Sequence, residues 1–295
     1  MEFKPIPCHE SLRPFIRNYW LLTAQCTAAG TQQIFSNGAA SLHFYLTQAV
    51  RLDDGERTYH TVLFHQNMQK VGVNSTEGPF HIFGAEFVPF CSRVFFPSEM
   101  QGVYASPEEL HDDDFLELSL KIHEAESVEQ RVQLLDDFFL RRLAEFPEGD
   151  VNIGRLNDVF SDILPTDGST AQPPSNQEEF SPADMASTAC LGQKQFTRVF
   201  NKYVGMNPKS YLRLLRFHKA LQMLQREVAS PSGDTREAIA WQCGYYDLAH
   251  MIADFRDICG YSPSQLLETG MGLTEAFGPQ FSGLMKKKIK IENLV

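Results

Sequence analysis

The sequence predicts an α+β protein in which a β-rich N-terminal domain with flanking helices precedes an all-α domain. Three observations support this fold class. Side chains alternate in character along several segments before residue 100, apolar residues recur every three or four positions after residue 106, and a polar stretch divides the chain. With 295 residues, of which 43% are hydrophobic, the chain can bury two cores.

The alternating segments predict β-strands. In residues 41 to 46, His43 and Tyr45 fall on one face, whereas Phe44 and Leu46 fall on the other. Residues 59–65 and 80–89 are similarly rich in aromatic and β-branched side chains. These segments are typical of a β-rich, cupin-like or related domain. The helices that flank it are indicated by an apolar stripe of Val128, Val132, Leu135, Phe139 and Leu143.

The domain boundary is indicated by composition. Between Leu164 and Phe180 the chain contains three prolines and no apolar residue larger than Ala171, too little to supply a core strand or helix. We therefore predict a first domain at 1–164, a linker at 165–180, a helical domain at 181–268 and a tail at 269–295. The lysines near the end of the tail are typical of a solvated terminus.

Charge is distributed unevenly between these parts. The formal net charge is −11 and the pI is about 5.3, values that argue against a nucleic-acid binder if the chain is treated as one body. Residues 1–180, however, hold 12 Lys and Arg against 27 Asp and Glu, whereas residues 181–221 hold seven bases and one acid. An acidic domain beside a locally basic one is typical of a regulator whose DNA-binding part is a minority of the mass.

The helical domain contains a weak internal repeat. Phe196, Phe200, Gly205 and Pro208 recur as Met251, Phe255, Gly260 and Pro263 at an offset of 55 residues. Upstream of these positions the offset is 54, which pairs Ala186 with Ala240 and Leu191 with Tyr245. The second copy therefore has one extra residue in its turn.

Each copy predicts two helices joined by a tight turn. A small residue, Ala186 or Ala240, lets the helices cross closely, and a glycine suited to a left-handed C-cap ends the second helix. Residues 211–226 have helical spacing and predict one long connecting helix. Two such units at a fixed separation can place their second helices in successive major-groove segments, roughly 34 Å apart.

At these residues the chain resembles a known family. The segment from Phe196 to Leu212, then Arg216 to Ala220, Ile239-Ala240, Gly244-Tyr245, Phe255-Arg256 and Gly260 to Pro263 resemble the signature of the AraC/XylS family of transcription activators. The resemblance covers about 90 residues. It implies a double helix-turn-helix DNA-binding domain behind a variable domain that binds an effector or dimerises. Leu12 to Phe15 and Tyr19-Trp20 resemble the regulatory domains of this family more loosely.

In the first unit, inward-pointing Phe196 and Phe200 turn four side chains outward, namely Gln193, Lys194, Thr197 and Arg198. The planar guanidinium of Arg198 suits guanine, and the resemblance implies a base-contacting arginine at this position. Lys202 and Lys209 lie near helix ends and are expected to contact phosphate. The alternative is that these are ordinary solvated charges.

The second unit departs from this pattern. Ala249 and Ala253 replace Lys194 and Arg198, and Leu248 stands where relatives often carry a polar residue. His250 is a candidate for a base or phosphate contact, or for packing beside Tyr246 and Met251. We therefore expect the first unit to supply most of the binding free energy, and the second to make apolar or backbone contacts.

Three hypotheses stay open for the N-terminal domain. A small-molecule pocket would be lined by His43, Tyr45, Phe64 and Phe83, although aromatic stripes are usually plain core. The alternative class is an enzyme or small-molecule-binding β-domain with an accessory helical module. We find no catalytic motif, no metal-ligand spacing and no cofactor motif in the sequence, and therefore predict a regulator that is not an enzyme. The third hypothesis is a regulator that binds no effector.

The remaining expectations concern partners and location. Neither a hydrophobic signal core at Met1–Pro14 nor a membrane-spanning stretch is present, so we expect a cytoplasmic protein with no membrane contact. The six cysteines lack disulfide or zinc spacing. The expected partners are double-stranded promoter DNA, a small-molecule effector, RNA polymerase and a second copy of the chain, which would dimerise through helices around Leu116 to Phe146.

Overall fold

The computed structural model describes residues 2–34, 38–53, 55–65, 70–96, 103–146, 150–163, 180–229 and 233–268. The predicted linker, apart from Phe180, and the predicted tail lie outside these residues. The α+β architecture is confirmed: an antiparallel β-sheet domain is followed by a helical domain.

Among its described residues, the N-terminal domain has ten strands in two antiparallel sheets. The strands are β1 (Glu2–Ile6), β2 (Ile16–Cys26), β3 (Gly30–Ile34), β4 (Ser41–Tyr45), β5 (Val50–Leu52), β6 (Thr58–Tyr59), β7 (Thr61–Phe64), β8 (Val71–Ser75), β9 (Gly78–Phe87) and β10 (Tyr104–Ala105). One sheet has the order β1-β2-β9-β4-β7-β10, and the other has the order β3-β8-β5-β6.

The six-stranded sheet buries both of its faces. One face packs on the four-stranded sheet around Trp20, Tyr45 and Phe64, and the other packs under helices around Phe44 and Phe83. Because both faces are buried, large aromatic side chains stand on both, with Tyr45 on one face of β4 and Phe44 on the other.

Three helices of this domain follow a short helix α1 (Ser92–Phe95), namely α2 (Asp113–Glu124), α3 (Val128–Glu145) and α4 (Val151–Ile163). Ser127 and Gln130 form a capping box that starts α3. The helix contains the whole predicted apolar stripe, of which Leu135 and Phe139 are buried. Arg142 of α3 donates to the Asp112 carboxylate at 2.5 Å and lies over the Phe138 ring. These contacts fix α3 against α2.

The C-terminal domain is helical, as predicted. Its helices are α5 (Pro182–Thr188), α6 (Gln193–Val204), α7 (Pro208–Ala229), α8 (Arg236–Gln242), α9 (Leu248–Cys259) and α10 (Pro263–Glu268). Helices α5 and α6 form the first helix-turn-helix unit, and α8 and α9 form the second. Gly205 and Gly260 end α6 and α9 with φ angles of 82° and 84°, in the left-handed region that favours glycine.

The turns of the two units close in the same way. The Leu191 amide donates to the Ala186 carbonyl at 2.9 Å, and the Tyr245 amide donates to the Ala240 carbonyl at 3.0 Å. One residue, Gly192, then separates Leu191 from α6, whereas two residues separate Tyr245 from α9. The extra residue predicted in the second turn therefore follows Tyr245, and Asp247 is the N-cap of α9, so the extra residue is Tyr246.

Helix α7 contacts the second unit through ion pairs and through hydrogen bonds to backbone carbonyls. Arg213 pairs with Asp254 at 2.7 Å and with Asp257 at 2.6 Å. The Arg216 guanidinium donates to the Gly244 carbonyl at 2.9 Å, and the Lys219 ammonium donates to the Gln242 carbonyl at 2.8 Å. Three of the seven bases counted in residues 181–221 therefore have partners within the protein, so the charge count overstates the positive surface.

No helix in the described part of the chain combines the length and apolar composition that a membrane crossing requires.

Candidate nucleic-acid interface

The exposed face of α6 carries the side chains predicted to read DNA. Phe196 and Phe200 are buried, and Gln193, Lys194 and Arg198 are exposed with the N-terminal domain in place. Because a rigid helix presents all these groups together, α6 offers a polar and basic surface of the kind that enters a major groove.

Thr197 lies on the same face but is half-buried. Its hydroxyl donates to the Gln193 carbonyl one turn earlier, at 2.8 Å. The hydroxyl is thereby held against the helix, and its methyl group is left as the contact surface.

Two further lysines flank this face. Lys202 is exposed near the end of α6, with its ammonium 5.5 Å from the centre of the Tyr203 ring. Lys209 is exposed in the first turn of α7, where Asn207 caps the helix by accepting from the Ser210 amide at 2.8 Å. Both ammonium groups lie where a helix end meets solvent, as a phosphate contact requires.

The corresponding face of α9 is chemically different. Ala249, His250 and Ala253 are exposed and Leu248 is half-buried, so this face presents small and apolar groups. The His250 ring packs edge-on against buried Tyr245, with centroids 5.4 Å apart, which corrects the predicted packing partner, Tyr246. Arg256, which the sequence reasoning missed, is exposed and follows Ala249 and Ala253 at helical spacing.

The N-termini of the two second helices also differ. Gly192 is the N-cap of α6 and makes no side-chain cap, and the first turn of α6 holds no acidic residue. Asp247 caps α9 by accepting from the His250 amide at 2.7 Å. Since a carboxylate at that position repels phosphate, the first unit is the better anion contact.

Two exposed aromatic residues of the second unit were also not predicted as site residues. The side chain of Tyr246 is 91% exposed and that of Trp241 on α8 is 66% exposed. Large exposed aromatic side chains often mark contact surfaces. The repeat indicated that a residue is inserted here but did not indicate its exposure.

In the N-terminal domain, three of the four predicted pocket residues lie together. His43, Tyr45 and Phe64 are buried between the two sheets, with the His43 ring 4.7 Å from the Phe64 ring and 6.1 Å from the Tyr45 ring. Phe83 does not join them. It pairs with Phe44 across the strands and packs with Tyr19 on the opposite face of the sheet.

A tryptophan that the prediction omitted completes this group. Trp20 and His43 lie on either side of Gly84 in adjacent strands, and a side chain at Gly84 would collide with the indole. The glycine therefore lets the Trp20 ring come within 4.9 Å of the His43 ring. Trp20 Nε1, His43 Nδ1 and the Tyr45 hydroxyl are buried and have no hydrogen-bond partner among the described residues.

The described residues contain no cluster of three or more His, Cys, Asp or Glu side chains that could ligate an ion. Burial lowers the pKa of His43 to about 3, which keeps its imidazole neutral. The surroundings of His43 are thus uncharged and largely aromatic.

Comparison with known proteins identifies the class of the helical domain. Residues 185–269 match the family model of the helix-turn-helix domain, and residues 4–105 match a domain of unknown function (DUF6597). Residues 185–269 are thus a helix-turn-helix domain of the AraC type, which agrees with the resemblance at these residues.

Individual relatives match over part of their length. The chain is 31% identical over 92 residues to the uncharacterised HTH-type transcriptional regulator YidL of Escherichia coli K12, covering 31% of this chain and 29% of YidL. It is 30% identical over 111 residues to an uncharacterised HTH-type transcriptional regulator of Haemophilus influenzae, covering 38% and 33%. The matched part is about a third of the length of these relatives.

Among solved structures, ToxT from Vibrio cholerae O395 aligns with a TM-score of 0.46 at 12% identity, covering 86% of this chain and 98% of ToxT. A structure of wild-type ToxT from strain SCE256 with a bound unsaturated fatty acid aligns with a TM-score of 0.43 at 13% identity, covering 86% and 96%.

Proposed function

We propose that this protein regulates transcription by binding promoter DNA sequence-specifically, with α6 in the major groove and Arg198 as its principal base-reading residue. The observation that carries the proposal is the exposed face of Gln193, Lys194 and Arg198, which the N-terminal domain leaves uncovered. The planar guanidinium of Arg198 matches the O6 and N7 acceptors of guanine.

The neighbouring residues have supporting roles in this proposal. Lys194, Gln193 and the Thr197 methyl group contact base edges next to Arg198, and Lys202 and Lys209 contact phosphates. In the second unit, Leu248, Ala249, His250 and Ala253 form a largely uncharged surface for thymine methyl groups and backbone. The asymmetry follows from the different faces of α6 and α9.

The test begins by selecting bound sequences from random duplex DNA with the full chain. The affinity of each variant for the selected duplex is then measured by fluorescence anisotropy at several salt concentrations. Arg198→Ala is expected to cost about 1–3 kcal/mol and to relax specificity at one base pair. Arg198→Lys, a matched control, keeps the charge and the salt dependence but loses the base preference.

The second unit provides the comparison. Leu248→Ala is expected to weaken binding less than Arg198→Ala and to leave the salt dependence unchanged, because no charge is removed. Equal losses for the two alanine variants would refute the asymmetry. Unchanged DNA binding of Arg198→Ala would refute the role of α6.

We further propose that the space between the sheets binds a small-molecule effector, a role supported by the three unpartnered polar atoms of Trp20, His43 and Tyr45. Buried polar groups are nearly always hydrogen-bonded, so these three are suited to a bound ligand. A melting-temperature screen against metabolites tests this site, with Phe64→Ala as the variant that abolishes the shift. A screen without any shift favours an effector-free regulator.

Other expectations stay predictions. They are a homodimer face on α2 and α3, a contact with RNA polymerase, a cytoplasmic location and the division of the chain at 164 and 180. The match of residues 185–269 to a helix-turn-helix domain favours a regulator over the alternative of a β-domain enzyme with an accessory helical module.

A further inference from the structure

We propose that Tyr246 is the residue through which the second unit binds the DNA backbone, by an uncharged hydrogen bond from its hydroxyl to a phosphate. The inference rests on the proposed DNA binding. It adds a contact that has no counterpart in the first unit, because the first unit has no residue equivalent to Tyr246. Its starting point is the single residue inserted before α9.

The position of Tyr246 directs it outward. Tyr245 is buried, and its amide closes the turn by donating to the Ala240 carbonyl. Asp247 is the N-cap of α9, so Tyr246 is the one residue between the closed turn and the helix cap. Its side chain is 91% exposed with the whole N-terminal domain in place. In a helix-turn-helix unit the N-terminal end of the second helix approaches the bases, and the residues just before it lie beside the backbone.

The turn that carries Tyr246 is held from behind by α7. The Arg216 guanidinium donates to the Gly244 carbonyl at 2.9 Å and lies 5.3 Å from the centre of the Tyr245 ring. Lys219 donates to the Gln242 carbonyl at 2.8 Å. These contacts fix the backbone that leads into Tyr245, so the neighbouring Tyr246 extends from a well-held turn and its backbone loses little conformational entropy on binding.

The chemistry of the second unit favours an uncharged donor. Residues 222–268 hold three bases against seven acids, and Arg236 donates to the Ser264 hydroxyl at 2.5 Å. The Asp247 carboxylate beside Tyr246 opposes a close phosphate, but its charge is offset by the N-terminus of α9. A tyrosine side chain extends beyond Asp247, and its hydroxyl is an established type of phosphate donor.

The decisive measurement is the salt dependence of binding by the full chain to its selected duplex. Tyr246→Phe removes only the hydroxyl and is expected to weaken binding about tenfold. The slope of log K against log salt concentration should not change, because an uncharged donor releases no counterion. Lys209→Ala, measured in parallel, should reduce the magnitude of that slope by about one.

The second part of the test is a lysine variant that is expected to bind DNA more tightly than the phenylalanine variant. Tyr246→Lys should steepen the slope by about one and bind more tightly than Tyr246→Phe at low salt, because an ammonium then stands beside the phosphate. Val228→Ala removes another exposed apolar side chain, 66% exposed on α7, and should bind as the wild type does. All these positions are exposed, so melting temperatures should stay close together.

Two results would overturn the proposal. One is wild-type affinity of Tyr246→Phe together with an unchanged slope for Tyr246→Lys. The other is normal DNA affinity with a loss of transcription in Tyr246→Phe, which assigns the tyrosine to a protein partner. Because Arg198→Ala is measured on the same duplex, failure of the Tyr246 contact is distinguishable from failure of DNA binding as a whole.

Discussion

His43 is a buried histidine of the proposed effector site, and its pKa lies far below the ordinary value. It lies on β4 between the rings of Trp20 and Phe64, and its Nε2 atom is 3.0 Å from the Ser41 hydroxyl oxygen. Burial lowers the pKa of His43 to about 3, because a buried imidazolium would lose its hydration without gaining a counter-charge. The neutral ring can therefore pack among aromatic side chains.

This burial predicts a dependence of stability on pH. In the unfolded chain His43 has its ordinary pKa near 6.5, so its contribution is complete above that pH and is lost as the pH falls towards 3. The slope from this one proton is about 1.4 kcal/mol per pH unit. Urea denaturation of wild type and His43→Gln at pH 7.5, 6 and 5 measures it.

The glutamine variant should show a shallower slope than the wild type. Any slope common to both proteins comes from other groups, such as His123, whose pKa is also lowered by burial and by His60 nearby. Parallel curves for the two proteins would show that His43 is not held neutral by the fold.

The sequence predicted some individual positions and not others. Phe196 and Phe200 fix the phase of α6, so the exposure of Arg198 followed from one helix alone. The pairing of Phe83 depends on the register between β4 and β9, which places Gly84 opposite His43 and Phe83 opposite Phe44. Register between strands about 40 residues apart is not a local property, and Phe83 was therefore assigned to the wrong face.

The turns of the two helix-turn-helix units differ at one backbone position. Cys190 in the first turn has a φ of 52°, and Gly244, which is equivalent at an offset of 54 residues, has a φ of 80°. A left-handed conformation costs a residue with a Cβ roughly 1–2 kcal/mol, whereas glycine adopts it freely. The first turn is therefore strained where the second is not.

Exchanging the residue types should have opposite effects. Cys190→Gly is expected to raise the free energy of unfolding by about 0.5–1 kcal/mol, since relief of strain exceeds the added entropy of the unfolded glycine. Gly244→Ala is expected to lower it by about 1–2 kcal/mol. Urea denaturation of the full chain measures both. Destabilisation by Cys190→Gly would contradict the strain.

The positions of the helices were predicted more completely than the partners of their charged side chains. Caps and apolar spacing lie within a few residues, so α3, α6, α7 and α9 could be inferred from local sequence. The partners of α7 are distant: Asp254 is 41 residues from Arg213, and Gly244 is 28 residues from Arg216. The count of seven bases therefore overstated the positive surface, because tertiary contacts occupy three of them.

Helix α4 joins the two domains into one packed structure. Phe160 contacts Phe90 of the N-terminal domain with ring centroids 5.0 Å apart, stacks on Phe200 of α6 at 5.9 Å and meets Tyr211 of α7 at 5.2 Å. The Tyr203 hydroxyl at the end of α6 donates to the Asp150 carboxylate just before α4. The first unit is thus supported by residues that precede the predicted linker.

The second unit is also touched by the N-terminal domain. The Lys70 ammonium, just before β8, lies beside Gly260 at the C-terminal end of α9, where a cation stabilises the helix dipole. Both second helices therefore contact residues of the domain that holds His43 and Tyr45. A ligand that shifts the β-sheets has a physical route to the spacing of α6 and α9.

Phe160 tests this coupling directly. Phe160→Ala in the full chain is expected to cost about 3–5 kcal/mol of unfolding free energy, because the side chain is fully buried between the domains. Hydrogen exchange should accelerate in α6 and α7 although the substitution lies in the N-terminal half. Leu120→Ala, at a position 59% exposed on α2, is the matched control and should stay within about 0.5 kcal/mol of wild type. If faster exchange is confined to residues before 164, the two domains unfold independently, and α4 does not carry a signal from the β-sheets to the DNA-binding helices.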